Sequence, residues 1–356
     1  MNRRLNIPGM TLPIIQAPMA GISTPEMAAA VSNSGGLGSL GIGNLSVDAA
    51  RIIIQATRKL TDRPINVNVF CHQPARANPE KESQWLEKLT PQFQKFGAVP
   101  PDQLREIYIS FLNNRGMLEM LLDERPEVVS FHFGLPEKTA ITALKAADIY
   151  LIATATTLNE AKLIAASGID AIVAQGYEAG GHRGVFDPDC FDDRLGTMPL
   201  SQLLVKETPL PIIAAGGIMD GAGIQACLQS GAVAAQLGTA FLLCPEAATD
   251  EGYRRKLQSN DSQHTVMTNA ISGRPARSLP NYWTSPTSQF RNDEIPAYPI
   301  AYDAAKTLHQ IAKTHNNYEY GAQWAGQGAP LVQSLPAKEL MQQLSEVLSS
   351  DRKESQ

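Results

Sequence analysis

The sequence predicts an α/β fold, a (β/α)8 TIM barrel carrying a helical insertion and a C-terminal appendage. Two observations point there. About eight short runs, apolar throughout and mostly ending in glycine, alternate with segments of helical period over the first 245 residues. Strands that are apolar on both faces belong to a parallel sheet covered by helices on both sides. Eight such units in about 240 residues match a barrel of this class. A doubly wound open sheet is the alternative arrangement of the same units.

In chain order, the run LPIIQAPMAG (12–21) is followed by a helix that Thr24 and Pro25 start and Gly35 stops. Next come LGSLGIG, the helical SVDAARIIIQATRKL, and the strand PINVNVF (64–70). Residues 71–126 read as a Pro-interrupted helical insertion, after which EVVSFHFG (127–134) resumes the repeat. IYLIATA with TLNEAKLIAASG follows, then IDAIVAQG with a long loop, LPIIAAGG with DGAGIQACLQSG, and AVAAQLGTAF. The expected organisation is a barrel over 1–70 and 127–245, the insertion at 71–126, and a substrate-side helical segment over 246–356.

Composition excludes several classes. With 43% hydrophobic and 18% charged residues, the chain is an ordinary globular one. A net charge of −5 gives no electrostatic reason for nucleic acid or an anionic membrane. Cys71, Cys190, Cys227 and Cys244 are scattered, with no C-x-x-C pair and no His/Cys set at zinc spacing, so no metal is expected. No secretion signal or bilayer-length apolar stretch is apparent, and a reducing, cytoplasmic setting is expected.

Gly36, Gly38 and Gly41 match G-x-G-x-x-G, the pattern of a dinucleotide-binding turn. That turn must follow a strand and open a helix. Here the preceding segment is helical and the glycines fall inside the next strand, so close packing explains them better than a Rossmann site. A phosphate site is expected instead in the loops after the seventh and eighth runs, where Gly216, Gly217, Gly238 and Thr239 stand. Glycines let main chain approach a phosphate, and the Thr239 hydroxyl adds a donor. One such site suggests a mononucleotide.

The segments PIIQAPMAGIS, INVNVF, FHFG, AQGYEAGGHRG, IIAAGGI and QLGTAF, with YPIAYDAAK further on, together resemble the nitronate monooxygenases, in particular their class I enzymes. The resemblance implies FMN-dependent oxidation of alkyl nitronates, propionate 3-nitronate foremost, by O2 to a carbonyl compound and nitrite, a detoxifying reaction. It places Met19, Gly21, Asn68 and Gln175 along the isoalloxazine ring, with Gly180 and Gly181 near it. Gly217, Gln236, Gly238 and Thr239 would hold the ribityl and phosphate groups.

His182 follows two glycines in the loop after the sixth run, at the face where such barrels keep their catalytic groups. By position alone a solvated loop histidine fits too; the resemblance assigns it catalysis. His132 alternates with Ser130 and Gly134, while Phe131 and Phe133 should face the other way. It reads equally as a core histidine or a substrate contact. Tyr298, Tyr302 and Lys306, spaced by four, share one face if their segment is helical. Spacing alone suits an ordinary amphipathic helix, whereas the resemblance makes them a pocket for an anionic substrate and adds Tyr108. The partners expected are the small nitronate and O2, with the chain a monomer or homodimer. Rival readings are an FMN-dependent NAD(P)H:quinone or enoyl-thioester reductase, a flavin-free barrel lyase or isomerase, and a scaffold without chemistry.

Overall fold

The computed structural model describes residues 4–288 and 290–354. Eight parallel strands form one sheet: β1 (Ile14–Gln16), β2 (Gly38–Gly41), β3 (Ile65–Phe70), β4 (Val128–His132), β5 (Tyr150–Ala155), β6 (Ala171–Gln175), β8 (Ile212–Ala215) and β9 (Ala234–Leu237). Their order is β1-β9-β8-β6-β5-β4-β3-β2. An Ile15–Leu37 bridge brings the two edges together and closes the barrel, with the Leu37 amide donating to Ile14 O at 3.0 Å. A small antiparallel sheet joins β7 (Gly181–His182), β10 (Val266–Thr268) and β11 (Ala276–Ser278) in the order β10-β11-β7.

The helices between strands start where capping side chains allow. Thr24 Oγ1 accepts from Met27 N at 3.1 Å to open α1 (Pro25–Asn33), and Ser46 Oγ accepts from Ala49 N at 3.3 Å to open α2 (Val47–Arg58). After α3 (Pro79–Gln94), α4 (Arg115–Glu124) and α5 (Lys138–Ala146), a reciprocal Thr157–Glu160 pair opens α6 (Leu158–Ser167). α7 (Thr197–Glu207) and α8 (Gly221–Gln229) complete the repeat, and α9 (Glu251–Leu257), α10 (Ile300–Thr314) and α11 (Ala337–Glu354) follow it.

Strand alternation sorts the core. Outward residues such as Val67, Val69, Val129, Phe131, Leu151 and Ala153 pack under the helices. Inward residues Ile15, Leu37, Val128, Ile152, Val173 and Ile213 plug the lumen together with Ile7. Further along three of the strands the inward positions turn polar: Val128 gives way to Ser130 and His132, Ile152 to Thr154, and Val173 to Gln175. The barrel is therefore dry at its base and polar at the C-terminal ends of its strands, where a cavity opens.

The glycines of the G-x-G-x-x-G match lie within or beside β2. A Cβ on Gly38 would stand 1.9 Å from Ala28 O of α1, and one on Gly41 2.7 Å from Ala20 N. Their role is close approach of helix and loop to the strand.

Two stretches sit differently from the expected boundaries. Met117, Met120 and Leu121 of α4 share the barrel core with α2, so residues 115–124 are a helix of the repeat and the excursion after β3 ends before them. Ala337, Leu340, Met341 and Leu344 of α11 pack against Met27 and Val31 of α1 and Ile224 and Cys227 of α8. α11 thus covers the barrel wall between the first and last helices, away from the cavity mouth. The part of 246–356 that lines the cavity lies in the stretch before it.

Candidate active site

A cavity of about 320 Å³ lies at the C-terminal ends of the barrel strands. One wall comes from the β/α repeat. Met19 and Gly21 follow β1, Asn68 stands on β3, Gly217 follows β8, Gln236 stands on β9, and Gly238 and Thr239 follow it. Gly217 has φ +70°, a conformation that favours glycine. The main-chain N–H groups of Gly217, Gly238 and Thr239 engage no protein acceptor among the described residues. Thr239 Oγ1 accepts from Gly326 N at 3.0 Å, which leaves its hydroxyl proton free to donate. This is a set of converging donors of the kind a phosphate needs.

The strap carrying Gly326 comes so close that a Cβ on Gly180 would lie 2.5 Å from Gly326 N. That approach, with φ +73° at Gly181, is what the paired glycines before His182 permit.

His182 stands on β7, stitched by main-chain pairing to Ala276 of β11. Gln175 clamps the same loop from β6. Its Nε2 donates to His182 O at 3.0 Å and its Oε1 accepts from Gly184 N at 2.8 Å. The buried Arg183 anchors the loop's other flank through a two-pronged contact with Asp192 at 2.8 and 3.0 Å. The His182 ring lies 5.1 Å from Trp324, 5.4 Å from Tyr298, 5.6 Å from Phe133 and 6.1 Å from Tyr302, centroid to centroid. Its Nε2 sits 2.8 Å from Ser272 Oγ. His132, deeper in, places Nδ1 3.2 Å from Thr154 Oγ1 and Nε2 3.3 Å from His182 O. The carbonyl can only accept, so Nε2 carries the His132 proton.

Charge in this corner is one-sided. Burial pushes His182 down to about 3, and the neighbouring His132, Arg274 and His72 push the same way. His132 and His72 fall to about 4, again chiefly by burial. Arg274, 3% exposed and set 4.4 Å over the Phe133 ring, is lowered to about 10 by burial. At neutral pH the three imidazoles are neutral and Arg274 is charged.

The facing wall comes from outside the repeat. The Tyr108 ring lies 6.3 Å from that of Tyr298 and 5.9 Å from that of Tyr302, centroid to centroid, and Lys306 Nζ lies 5.1 Å from the Tyr108 ring and 5.4 Å from the Tyr302 ring. Burial lowers Lys306 and raises all three phenols, Tyr302 to about 12. Lys306 makes no ion pair or hydrogen bond among the described residues, so its charge is available to the cavity. Burying a cation is costly unless an anion meets it.

The candidate catalytic, substrate and cofactor residues named from the sequence all line this one cavity: Met19, Gly21, Asn68, Tyr108, His132, Gln175, Gly180, Gly181, His182, Gly217, Gln236, Gly238, Thr239, Tyr298, Tyr302 and Lys306. Two local expectations are corrected. Tyr298 precedes α10, which begins at Ile300, so it shares the pocket with Tyr302 and Lys306 without sharing their helix. Phe133 lies in the cavity wall with His132, because its φ of +72° ends the strand alternation. Trp324, Ser272 and Arg274 carried no spacing signal, since each is brought in by the pairing of β11 with β7 or with the strand at Trp324.

A family model described as "Nitronate monooxygenase" matches residues 2–346. A "Nitronate monooxygenase" of Paraburkholderia phytofirmans is 58% identical, over 96% of this chain and 93% of that protein. Among solved structures, one described as a nitroalkane oxidase from Streptomyces ansochromogenes has a TM-score of 0.88 at 37% identity, covering 98% of this chain and 99% of that one. FabK from Thermotoga maritima has a TM-score of 0.73 at 26% identity, covering 97% and 95%.

Proposed function

Since the chain belongs to the nitronate monooxygenase family, an enzyme family that oxidises nitronates, we propose that it uses FMN and O2 to convert alkyl nitronates to a carbonyl compound and nitrite. The observation that carries this reading is the meeting of two sets of groups in one cavity: amides of Gly217, Gly238 and Thr239 that engage no acceptor among the described residues, and His182 with Lys306 and three phenols.

The residues fit FMN. The amides of Gly217, Gly238 and Thr239 with the Thr239 hydroxyl would hold the phosphate, and Gln236 the ribityl chain. Met19, Gly21, Asn68, Gln175, Gly180 and Gly181 would line the ring. When bound, FMN supplies the redox chemistry that connects the nitronate to O2.

The chain's own share is binding, orientation and control of protons. Lys306, held between Tyr108 and Tyr302, attracts the anionic nitronate or a carboxylate on its tail. The aromatic wall excludes water and strengthens that attraction. His132 supports the His182 main chain from below. His182, unprotonated at neutral pH, can take a proton from the carbon beside a nitro group, which brings neutral nitroalkanes within reach of the same site.

Likeness to FabK favours one second reading, an FMN-dependent NAD(P)H reductase of the same barrel type. The test is the visible spectrum of the purified protein together with nitrite release from propionate 3-nitronate in air. A yellow protein that extracts as FMN and releases nitrite supports the proposal. A colourless protein that binds no added FMN, or a yellow one that releases no nitrite, contradicts it.

A further inference from the structure

Ser272 is fully buried and lies on a turn of the C-terminal segment, far from His182 in sequence. The turn is fixed from several sides. Gly273 has φ +89°, its amide donates to Asn269 O at 2.8 Å, and a Cβ there would stand 2.5 Å from Pro296 O. Beyond it, Pro275 O accepts from Arg183 N at 2.8 Å and Ala276 pairs with His182. The distance between Ser272 Oγ and the imidazole is therefore set by main chain.

A serine hydroxyl has one proton to give and two lone pairs. Ser272 Oγ has three neighbours: Arg274 O at 3.3 Å, Arg274 N at 3.4 Å and His182 Nε2 at 2.8 Å. The carbonyl can only accept and the amide can only donate. One arrangement satisfies all three contacts, with the hydroxyl proton on Arg274 O and both lone pairs filled, one by Arg274 N–H and one by Nε2–H of His182. The other ring nitrogen, Nδ1, then carries a lone pair and has no hydrogen-bond partner among the described residues.

We propose that Ser272 is a positioning residue that holds His182 in the Nε2–H tautomer, so that Nδ1 is the proton-accepting atom presented to the cavity. This rests on the reading of His182 as the group that takes a proton from a nitroalkane. Among the described residues no carboxylate contacts the imidazole; the titratable and charged groups around it are His132, His72, Arg274, Tyr298 and Tyr302. A neutral serine is therefore the orienting partner where other active-site histidines have an acid.

The experiment is 15N–1H correlation NMR on FMN-loaded enzyme labelled at the histidine rings, with His182 assigned by comparison with His182→Asn. It is read beside steady-state kinetics with nitroethane and with its preformed nitronate. The wild-type spectrum should show Nε2 protonated and Nδ1 bare. Ser272→Ala should lose that preference and lower kcat for nitroethane by about 10- to 100-fold, the usual effect of removing an orienting partner. Its KM and FMN content should be little changed, the nitronate should suffer less, and Ser272→Thr should restore the tautomer. A wild-type His182 protonated on Nδ1, or a Ser272→Ala spectrum identical to wild type, overturns the proposal. If the tautomer shifts as stated while wild type turns over neither substrate, the functional reading fails and the positioning role stands.

Discussion

After β8 and β9 the β/α repeat offers the cavity unengaged main-chain amides, whereas the segments from outside the repeat offer it aromatic and charged side chains. Gly217, Gly238 and Thr239 offer amides whose positions follow from the barrel itself. Tyr108, Tyr298, Tyr302, Lys306 and Trp324 lie on the excursion after β3 and the segment after β9. The difference separates tasks. A phosphate can be held by backbone that any sequence of the right fold supplies, while recognition of an anionic substrate needs particular functional groups, of the kind that Tyr108, Tyr302 and Lys306 bring together here.

Substitutions that strike one wall only should break this comparison cleanly. The largest effect is expected at His182, where the two walls meet. His182→Asn should lower turnover of neutral nitroalkanes by about 10²- to 10⁴-fold and of preformed nitronates by less. Equal losses with FMN still bound would remove the base role. On the main-chain wall, Gly217→Ala forces a side chain into φ +70° with its Cβ 3.3 Å from Glu178 Cβ. It should weaken FMN binding about tenfold, from a backbone cost of about 1–2 kcal/mol. The KM of the reloaded enzyme should be unchanged, and equilibrium titration with FMN checks this.

A third prediction concerns the histidines where the walls join. His72, His132 and His182 have folded pKa values of about 4, 4 and 3, below the ordinary value of 6.5. The unfolded chain therefore binds more protons than the folded one between about pH 4 and 6.5. Stability should rise with pH through that window, by up to about 1.4 kcal/mol per pH unit for each histidine, and should be free of this contribution above it. Thermal melts from pH 4.5 to 8 measure the slope, and His132→Asn should flatten it if the variant folds. The smallest effect is expected at Lys306. Lys306→Met should raise KM for propionate 3-nitronate about fivefold, near the upper end for a partly exposed ion pair. FMN affinity should not move, and a shift in FMN affinity of the same size would mean the walls are not separable.

The same division explains what the sequence disclosed. Several barrel strands were legible because their inward and outward positions are both apolar near the base, as in Val128 with Val129 and Ile172 with Val173. The glycines after β8 and β9 were legible as cavity-lining because their place in the repeat puts them at the C-terminal ends of the strands. The resemblance to a known family supplied Tyr108, which no spacing could tie to Tyr302 across nearly two hundred residues. Ser272, Arg274 and Trp324 were silent for the same reason, since long-range strand pairing brings them in and no local period marks it. Phe133 misled by rule, because alternation holds only until a residue leaves the β region, and Phe133 does. The register of α4 was hidden by the prolines and loops that precede it.

The central claim is that both walls serve one bound flavin and one anionic substrate. Anaerobic titration of the FMN-loaded protein, followed by its visible spectrum, addresses it most directly. Propionate 3-nitronate should bleach the flavin, NADH and NADPH should not, and admitting air should restore the colour with release of nitrite. Bleaching by a nicotinamide nucleotide and none by the nitronate would contradict the account and make the protein a reductase.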